Sequence, residues 1–313
     1  VVDREGRVVV YLAGAPKGDA SWPETVRQAS MAMDDILEDP KTNFMAGEQL
    51  AAHTRGQYPT LNVGFTHGGG PEAPYLVDNK KPTKHEAFKR LTRNPAMARI
   101  AGFASSAFNM AAPRLFTRYR DVVASIQTED GGLEKPFRNS VFPTATFNFG
   151  PRAVTYPHRD YQNVPYGWCA ITALGNYNPK TGGHIYLWEL GLVIEFPPGS
   201  TILIPSAIIT HGNTPIQEGE TRKSFTQYCA GALMRWHTYG FRTEATLRRE
   251  DPELHKQLVR TTSQRVQDAL GLFSLWREIP GEHMPSLRVD PERVNDVYFA
   301  RLLAGQPSYL QSS

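Results

Sequence analysis

The chain has 313 residues, 40% hydrophobic and 21% charged, with a net charge of +3, and can bury a sizeable core as one large domain or two ordinary ones. No apolar run approaches the roughly 20 residues that a membrane-crossing helix needs. Two cysteines, Cys169 and Cys229, form no CxxC pair, which excludes a structural zinc module of the usual kind. Each sits in an apolar, strand-like segment and reads as a buried small hydrophobe in a reducing, intracellular setting. The chain opens on Val1 rather than Met and shows no secretory signal, so it reads as a fragment or a processed form.

In chain order, residues 7–12 (RVVVYL) form a strand closed by Gly14 and Pro16. A helix over 23–37 follows, entered at Trp22-Pro23, with Val26, Ala29, Met33 and Ile36 at helical spacing and a stop at Asp39-Pro40. Residues 41–58 carry no assignable pattern. Residues 59–65 form a strand, and the glycines and prolines of 68–74 break it into a loop without the downstream Lys-Ser/Thr of a phosphate-binding loop. Helices are expected over 85–97 and 107–123. Ten basic residues between Lys80 and Arg120 face a single acid, Glu86. Such asymmetry suits a surface that tracks phosphates, unless acids from elsewhere balance it in space.

From Val141 onward short strands arrive in close succession, over 142–149, 154–156, 168–174, 184–190, 192–196, 201–205 and 224–230. Their Gly/Pro turns point to a jelly-roll or barrel. Past Arg242 the pattern turns helical, with Leu254, Leu258, Val266 and Leu270 on one face packing onto the barrel, and a last helix over 290–303. There is no internal repeat. The fold class is α+β: a double-stranded β-helix core (jelly-roll, cupin-like) with flanking helices at both ends. An α/β extension over 1–140, a core over 141–242 and a helical extension over 243–313 together make one catalytic domain.

The stretch 146–160, TFNFGPRAVTYPHRD, reads as a strand, a Gly-Pro turn and a second strand ending on His158-Arg159-Asp160. Residues two apart on a strand project to one side, so His158 and Asp160 can grip one metal ion. His211, roughly fifty residues on at the end of an apolar run, supplies the third ligand. Two histidines and a carboxylate form the facial triad of non-haem Fe(II) oxygenases, with positions left open for oxygen and a cosubstrate. Arg222, eleven residues beyond His211, and Ser224, on the same strand face, suit a small dicarboxylate. Arg152 and Asn148 precede the HxD motif and can reach the other end of that acid. His184 can face the cavity or sit partly exposed at a strand end, His237 reads as a packing residue among aromatics, and neither Glu189 nor Glu195 has a histidine two positions away.

The order HxD, distal His, Arg-x-Ser resembles the 2-oxoglutarate/Fe(II) dioxygenases. The wording of 146–150 (TFNFG), 167–175 (GWCAITALG), 181–184 (TGGH), 192–206 (LVIEFPPGSTILIPS) and 225–228 (FTQY) is similar to the fungal branch of the TET/JBP family. The likeness runs from about Val141 to Arg242, and TLNVG at 60–64 and AGF at 101–103 extend it upstream. It implies Fe(II), 2-oxoglutarate and O2 as cofactor and cosubstrates, and duplex DNA with a methylated base as partner. The expected reaction takes 5-methylcytosine to 5-hydroxymethylcytosine and beyond. It also places Asn163 and Tyr228 at the base, since a flipped base needs a π-face and polar groups on its Watson–Crick edge. Lys89, Arg90 and Arg93 are then expected on the flanking phosphates. An N6-methyladenine demethylase with the same chemistry and an inactive, transposon-derived DNA-binding protein stand as alternatives, as does a dioxygenase of small molecules or protein side chains. The substrate implies nuclear residence, and a monomer is expected.

Overall fold

The computed structural model describes residues 1–39, 55–77 and 82–279. Two antiparallel sheets face each other. The larger contains β1 (Tyr11–Gly14), β2 (Thr60–Thr66), β3 (Tyr75–Leu76), β4 (Thr144–Asn148), β5 (Cys169–Asn176), β8 (Thr201–Ile204) and β10 (Thr221–Tyr228), in the order β1-β8-β5-β10-β4-β2-β3. The smaller contains β6 (Ile185–Leu187), β7 (Leu192–Ile194) and β9 (His211–Asn213), in the order β7-β6-β9.

Period-two alternation makes the larger sheet two-faced. On β4, Ala145 and Phe147 point one way and Thr144, Thr146 and Asn148 the other. β10 divides likewise, with Lys223 and Phe225 on the outer face and Arg222, Ser224, Thr226 and Tyr228 on the inner one, and β2 sets Leu61 and Val63 against Thr60 and Asn62. The register aligns the inner residues in rows, Ser224 opposite Asn148 opposite Thr60, then Thr226 opposite Thr146 opposite Asn62. The result is an apolar back and a polar floor.

Helices cover the back. α1 (Trp22–Glu38) buries Trp22, Val26, Ala29, Met33 and Ile36, and the Trp22 indole donates to the Gly199 carbonyl at 3.0 Å. α2 (Pro82–Thr92) and α3 (Pro95–Ala111) pack beside it, while α4 (Pro113–Glu129) lies with α3 over the Trp168 end. Lys223, the one charge on the back of β10, is buried and donates to Ser30 Oγ at 2.9 Å and Asp34 Oδ2 at 2.6 Å, which pins β10 to α1. Phe147 and Phe225 stack at 5.1 Å in this layer. Phe147→Ala is expected to lower unfolding free energy by about 3–5 kcal/mol, read from urea denaturation.

Several sequence expectations are corrected here. Residues 154–156 form no strand. The segment after Pro151 pairs first with β10, where Arg222 N donates to the Pro151 carbonyl at 2.7 Å and Ala153 N to that of Arg222 at 3.0 Å. It then crosses to β9, where Asn213 N donates to the Thr155 carbonyl. A segment that changes sheets cannot keep one ladder. The helix over 85–97 is two helices broken at Asn94-Pro95, where Asn94 Oδ1 caps α3 by accepting from Ala96 N and Met97 N. That over 107–123 is broken at Ala112-Pro113, where a proline opens α4 without a side-chain cap.

At the C-terminal end there are three short helices, α5 (Gly231–Thr238) having come before them: α6 (Glu244–Glu250), α7 (Pro252–Arg260) and α8 (Thr262–Leu270). α7 and α8 bury no residue, so the expected apolar face onto the barrel is not formed. Leu247, Phe273 and Ile279 are buried here, the last two in the main core. The helix expected over 290–303 lies outside the described residues.

Candidate active site

The strand crossing just described places the first ligand. His158 and His211 sit directly opposite each other and exchange both backbone hydrogen bonds, each at 3.0 Å. Opposed residues on neighbouring strands project to the same face, and the two rings lie 4.4 Å apart between centroids. Two residues on, Asp160 is anchored by its N–H on the Ser206 carbonyl at 2.9 Å. Its carboxylate reaches back between the rings: Oδ1 is 3.6 Å from His158 Nε2 and Oδ2 is 3.9 Å from His211 Nε2. One ligand atom from each of the three lies within 4.8 Å of the others, and this is the one such cluster among the described residues.

Ring orientation follows from the backbone. His158 Nδ1 lies 2.8 Å from the Tyr156 carbonyl and His211 Nδ1 2.9 Å from that of Ile209. A carbonyl only accepts, so each Nδ1 carries the proton and each Nε2 presents a lone pair to the centre. Burial pushes both imidazoles below the usual histidine value, and for His158 the neighbouring His211 adds to it. Neutral imidazoles beside a buried carboxylate, Asp160 being 7% exposed, are the donor set that Fe(II) takes.

The pH consequence has a definite sign. A depressed native pKa means that the unfolded chain binds protons first as pH falls, so the stability these histidines contribute is present above about pH 6.5 and lost below it. Metal-free protein should melt at progressively lower temperature from pH 6.5 toward pH 5. A His158→Ala/His211→Ala variant should show a shallower fall in the same titration.

The cavity, about 680 Å³, lies between the polar floor and the triad. At one end Arg222, 2% exposed, donates to the Ala153 carbonyl at 2.8 Å, while its buried Nε has no partner. Burial lowers its pKa, and the groups that oppose this are the phenols of Tyr177 and Tyr58; among the described residues no carboxylate pairs with it. Ser224 Oγ accepts from Asn148 Nδ2 at 2.9 Å beside it. A buried fork-shaped cation next to a hydroxyl and an amide, with no counter-ion, is a receptor for a carboxylate. The residues present therefore fit Fe(II), 2-oxoglutarate and O2.

The remaining sequence candidates divide. Tyr228 and Asn163 line the cavity, but Asn163 is engaged with the triad, its Nδ2 donating to Ser206 Oγ at 3.0 Å and lying 3.4 Å from Asp160 Oδ2. Arg152 is exposed and does not line the cavity; its guanidinium donates to the Ile216 carbonyl at 2.7 Å, because the crossing segment turns it outward. Lys89, Arg90 and Arg93 belong to α2 and the residue following it, on the back of the larger sheet and away from the cavity. Arg90 pairs with Asp39 at 2.6 Å, Arg99 with Asp19, Arg114 with Glu278 at 3.1 Å and Arg120 with Asp121 at 2.8 Å. Asp39, Asp19 and Glu278 are thus brought from elsewhere to three of these cations, while Arg120 is met by its neighbour in the chain. Lys80 and Lys81 lie outside the described residues.

Sequence reading missed Arg55, Tyr58 and Tyr177. Tyr58 donates to or accepts from Thr155 Oγ1 at 2.9 Å, and Arg55 NH2 stands 2.7 Å from Asp160 Oδ1. None belongs to the HxD or Arg-x-Ser motifs. Gly56, at φ +159°, where a Cβ would strike the Val154 carbonyl, marks the close approach of this segment to the ligand strand.

No family model and no curated protein sequence matches the chain. Among solved structures it is similar to NgTET1 in complex with 5mC DNA, at 14% identity and a TM-score of 0.50 over 73% of this chain and 74% of that one. Weaker likenesses include a 2OG-Fe(II) oxygenase family oxidoreductase from Burkholderia pseudomallei (15% identity, TM-score 0.35, 68% of this chain and 92% of that one). A Pseudomonas putida prolyl-4-hydroxylase has 15% identity and a TM-score of 0.33 over 71% of this chain and 90% of that one. The fold is a double-stranded β-helix with flanking helices.

Proposed function

We propose that this protein is an Fe(II)/2-oxoglutarate-dependent dioxygenase that oxidises the methyl group of a methylated DNA base. The base is 5-methylcytosine, taken to its hydroxymethyl form and further oxidised forms after flipping out of the duplex. The observation that carries the chemistry is the pairing of one metal-ligand cluster with one buried guanidinium, Arg222, that has no carboxylate partner among the described residues, in a single cavity.

Bound Fe(II) would supply oxygen activation coupled to decarboxylation of the cosubstrate. His158, Asp160 and His211 would hold it, with the Tyr156 and Ile209 carbonyls fixing both imidazole tautomers. Arg222 and Ser224 would orient the distal carboxylate of 2-oxoglutarate, and Asn148 would fix the Ser224 hydroxyl.

The choice of a base rests on the other end of the cavity. There Tyr228 offers a ring while Thr146, whose hydroxyl donates to Asn62 Oδ1 at 2.6 Å, offers polar edges. A base needs both, and the likeness to a protein held with 5mC DNA agrees. A volume near 680 Å³ lies within the range of small-molecule sites. Such a substrate goes with nuclear residence, and a monomer is proposed alongside it.

The test incubates the protein with Fe(II), 2-oxoglutarate and duplexes carrying 5-methylcytosine or N6-methyladenine, followed by digestion and mass spectrometry of the nucleosides. 5-Hydroxymethylcytosine is expected. Oxidation confined to N6-methyladenine would replace the base named here. Succinate formation with other substrates, and no oxidised nucleoside from either duplex, would remove nucleic acid as the substrate.

A further inference from the structure

The two segments that carry the metal ligands meet in one backbone pair, His158 with His211. One step along this antiparallel pairing Arg159 falls opposite Thr210, at a rung that carries no backbone hydrogen bond of its own. Side chains alternate across extended chain, so these two turn away from the side on which the histidines meet, toward the rim of the cavity. They are joined by Glu189, from the short 3-10 turn Trp188–Leu190. Its Oε2 accepts from Thr210 N at 2.6 Å, and its Oε1 accepts from Thr210 Oγ1 at 2.7 Å and from the Arg159 guanidinium at 2.5 Å. Arg159 Nε closes the ring by donating to Thr210 Oγ1 at 2.9 Å. The turn is itself fixed to the ligand strand, since Trp188 N donates to the Thr210 carbonyl at 2.8 Å and Leu187 pairs with His211.

An ion pair this exposed, 38% for Arg159 and 34% for Glu189, contributes little to stability. Its placement matters more than its strength. Arg159 stands between His158 and Asp160, and Thr210 immediately precedes His211, so one carboxylate holds a neighbour of all three ligands. A slip at this rung would carry His158 and His211 past each other and separate the atoms that must meet at one ion. Metal affinity depends on groups that orient the ligands as well as on the ligands themselves.

Resting on the metal centre of the proposed function, we infer that Glu189 is a positioning residue for that centre: from the far side of the ligand pair it locks Arg159 to Thr210 and so fixes the spacing of His158 and His211. It touches no ligand side chain and acts through the two residues it bridges.

The experiment measures Mn(II) affinity of the full chain by electron paramagnetic resonance without 2-oxoglutarate, together with the melting temperature of the metal-free protein. Glu189→Ala should weaken Mn(II) binding by about 10-fold, the lower end of what an orienting partner contributes to a metal site. The metal-free variant should melt within about 4 °C of wild type, as loss of an exposed pair allows. Glu189→Gln keeps one oxygen for Arg159 and Thr210 Oγ1 and should fall between the two. Arg159→Met should weaken Mn(II) binding as Glu189→Ala does, and the double variant should lose no more than either, because the groups act as one unit. Glu24→Ala, which breaks an exposed pair with Arg27 at 2.6 Å on α1, should leave Mn(II) affinity unchanged. Wild-type Mn(II) affinity in Glu189→Ala, losses that multiply in the double variant, or a fall in melting temperature beyond that range overturns the inference while leaving the proposed function standing. A wild-type chain that binds no Mn(II) overturns both.

Discussion

Arg222→Met is expected to weaken 2-oxoglutarate binding by about 30- to 5,000-fold, corresponding to the 2–5 kcal/mol that follows truncation of one partner of a buried charge pair, while leaving the ligand-free fold as stable as wild type or more so. The two halves have one cause. In the bare protein Arg222 is 2% exposed, donates to the Ala153 carbonyl and leaves Nε unsatisfied. A buried charge without a counter-ion costs several kcal/mol after relaxation. The fold tolerates that cost in the absence of ligand and recovers it when a carboxylate arrives. Methionine fills much of the same space without the charge. Arg222→Lys keeps the charge but not the fork, and should fall between the two. Calorimetric titration of 2-oxoglutarate into Mn(II)-loaded protein reads the first half, and urea denaturation without ligand reads the second. Unchanged affinity in Arg222→Met would place the cosubstrate's acid group elsewhere. A large loss of ligand-free stability would make Arg222 a structural residue.

The parts of this site that the sequence displays are those whose geometry is set by neighbours in the chain. HxD places His158 and Asp160 together because extended residues two apart share a side, and Arg222-x-Ser224 obeys the same rule on β10. His211 reads in sequence as a turn residue after an apolar strand, whereas it opens β9, and neither that strand nor its pairing with His158 was visible. What was hidden belongs to neighbours in space. Arg55 and Tyr58 reach the site because 55–59 runs beside the ligand strand, with Tyr156 N donating to the Arg55 carbonyl at 2.8 Å. No local pattern marks that pairing.

The cations of α2, Lys89 and Arg90, show the opposite failure. Composition counts charges, but the alternation of β2, β4 and β10 decides which face the helices cover, and that face is the back. The helix breaks at Asn94-Pro95 and Ala112-Pro113 were written in the sequence as a capping side chain and prolines at helix starts. Apolar periodicity ran across both, because the same buried layer continues on either side.

His211→Ala should abolish product formation and weaken Mn(II) or Fe(II) binding by more than about 100-fold, the upper end of what loss of an outer-shell partner costs a metal site. Its ring is 4% exposed, its Nδ1 is held by the Ile209 carbonyl, and Nε2 faces Asp160. Alanine leaves His158 and Asp160 alone, two ligands on one segment, and a divalent ion bound by two side chains is readily taken by water or chelator. Asn163→Ala removes no ligand. It releases Asp160 Oδ2 and Ser206 from a shared amide, so its effect on metal affinity should stay within about 10–100-fold.

The two variants together separate ligation from orientation, provided metal affinity is measured directly by Mn(II) electron paramagnetic resonance rather than through turnover. If Asn163→Ala binds Mn(II) as wild type yet loses oxidation of the methylated base, the amide serves the substrate, as its sequence position implied. If His211→Ala binds Mn(II) as tightly as wild type, the metal is held by some other set of donors, and the opposition of His158 and His211 across the smaller sheet is a structural pairing.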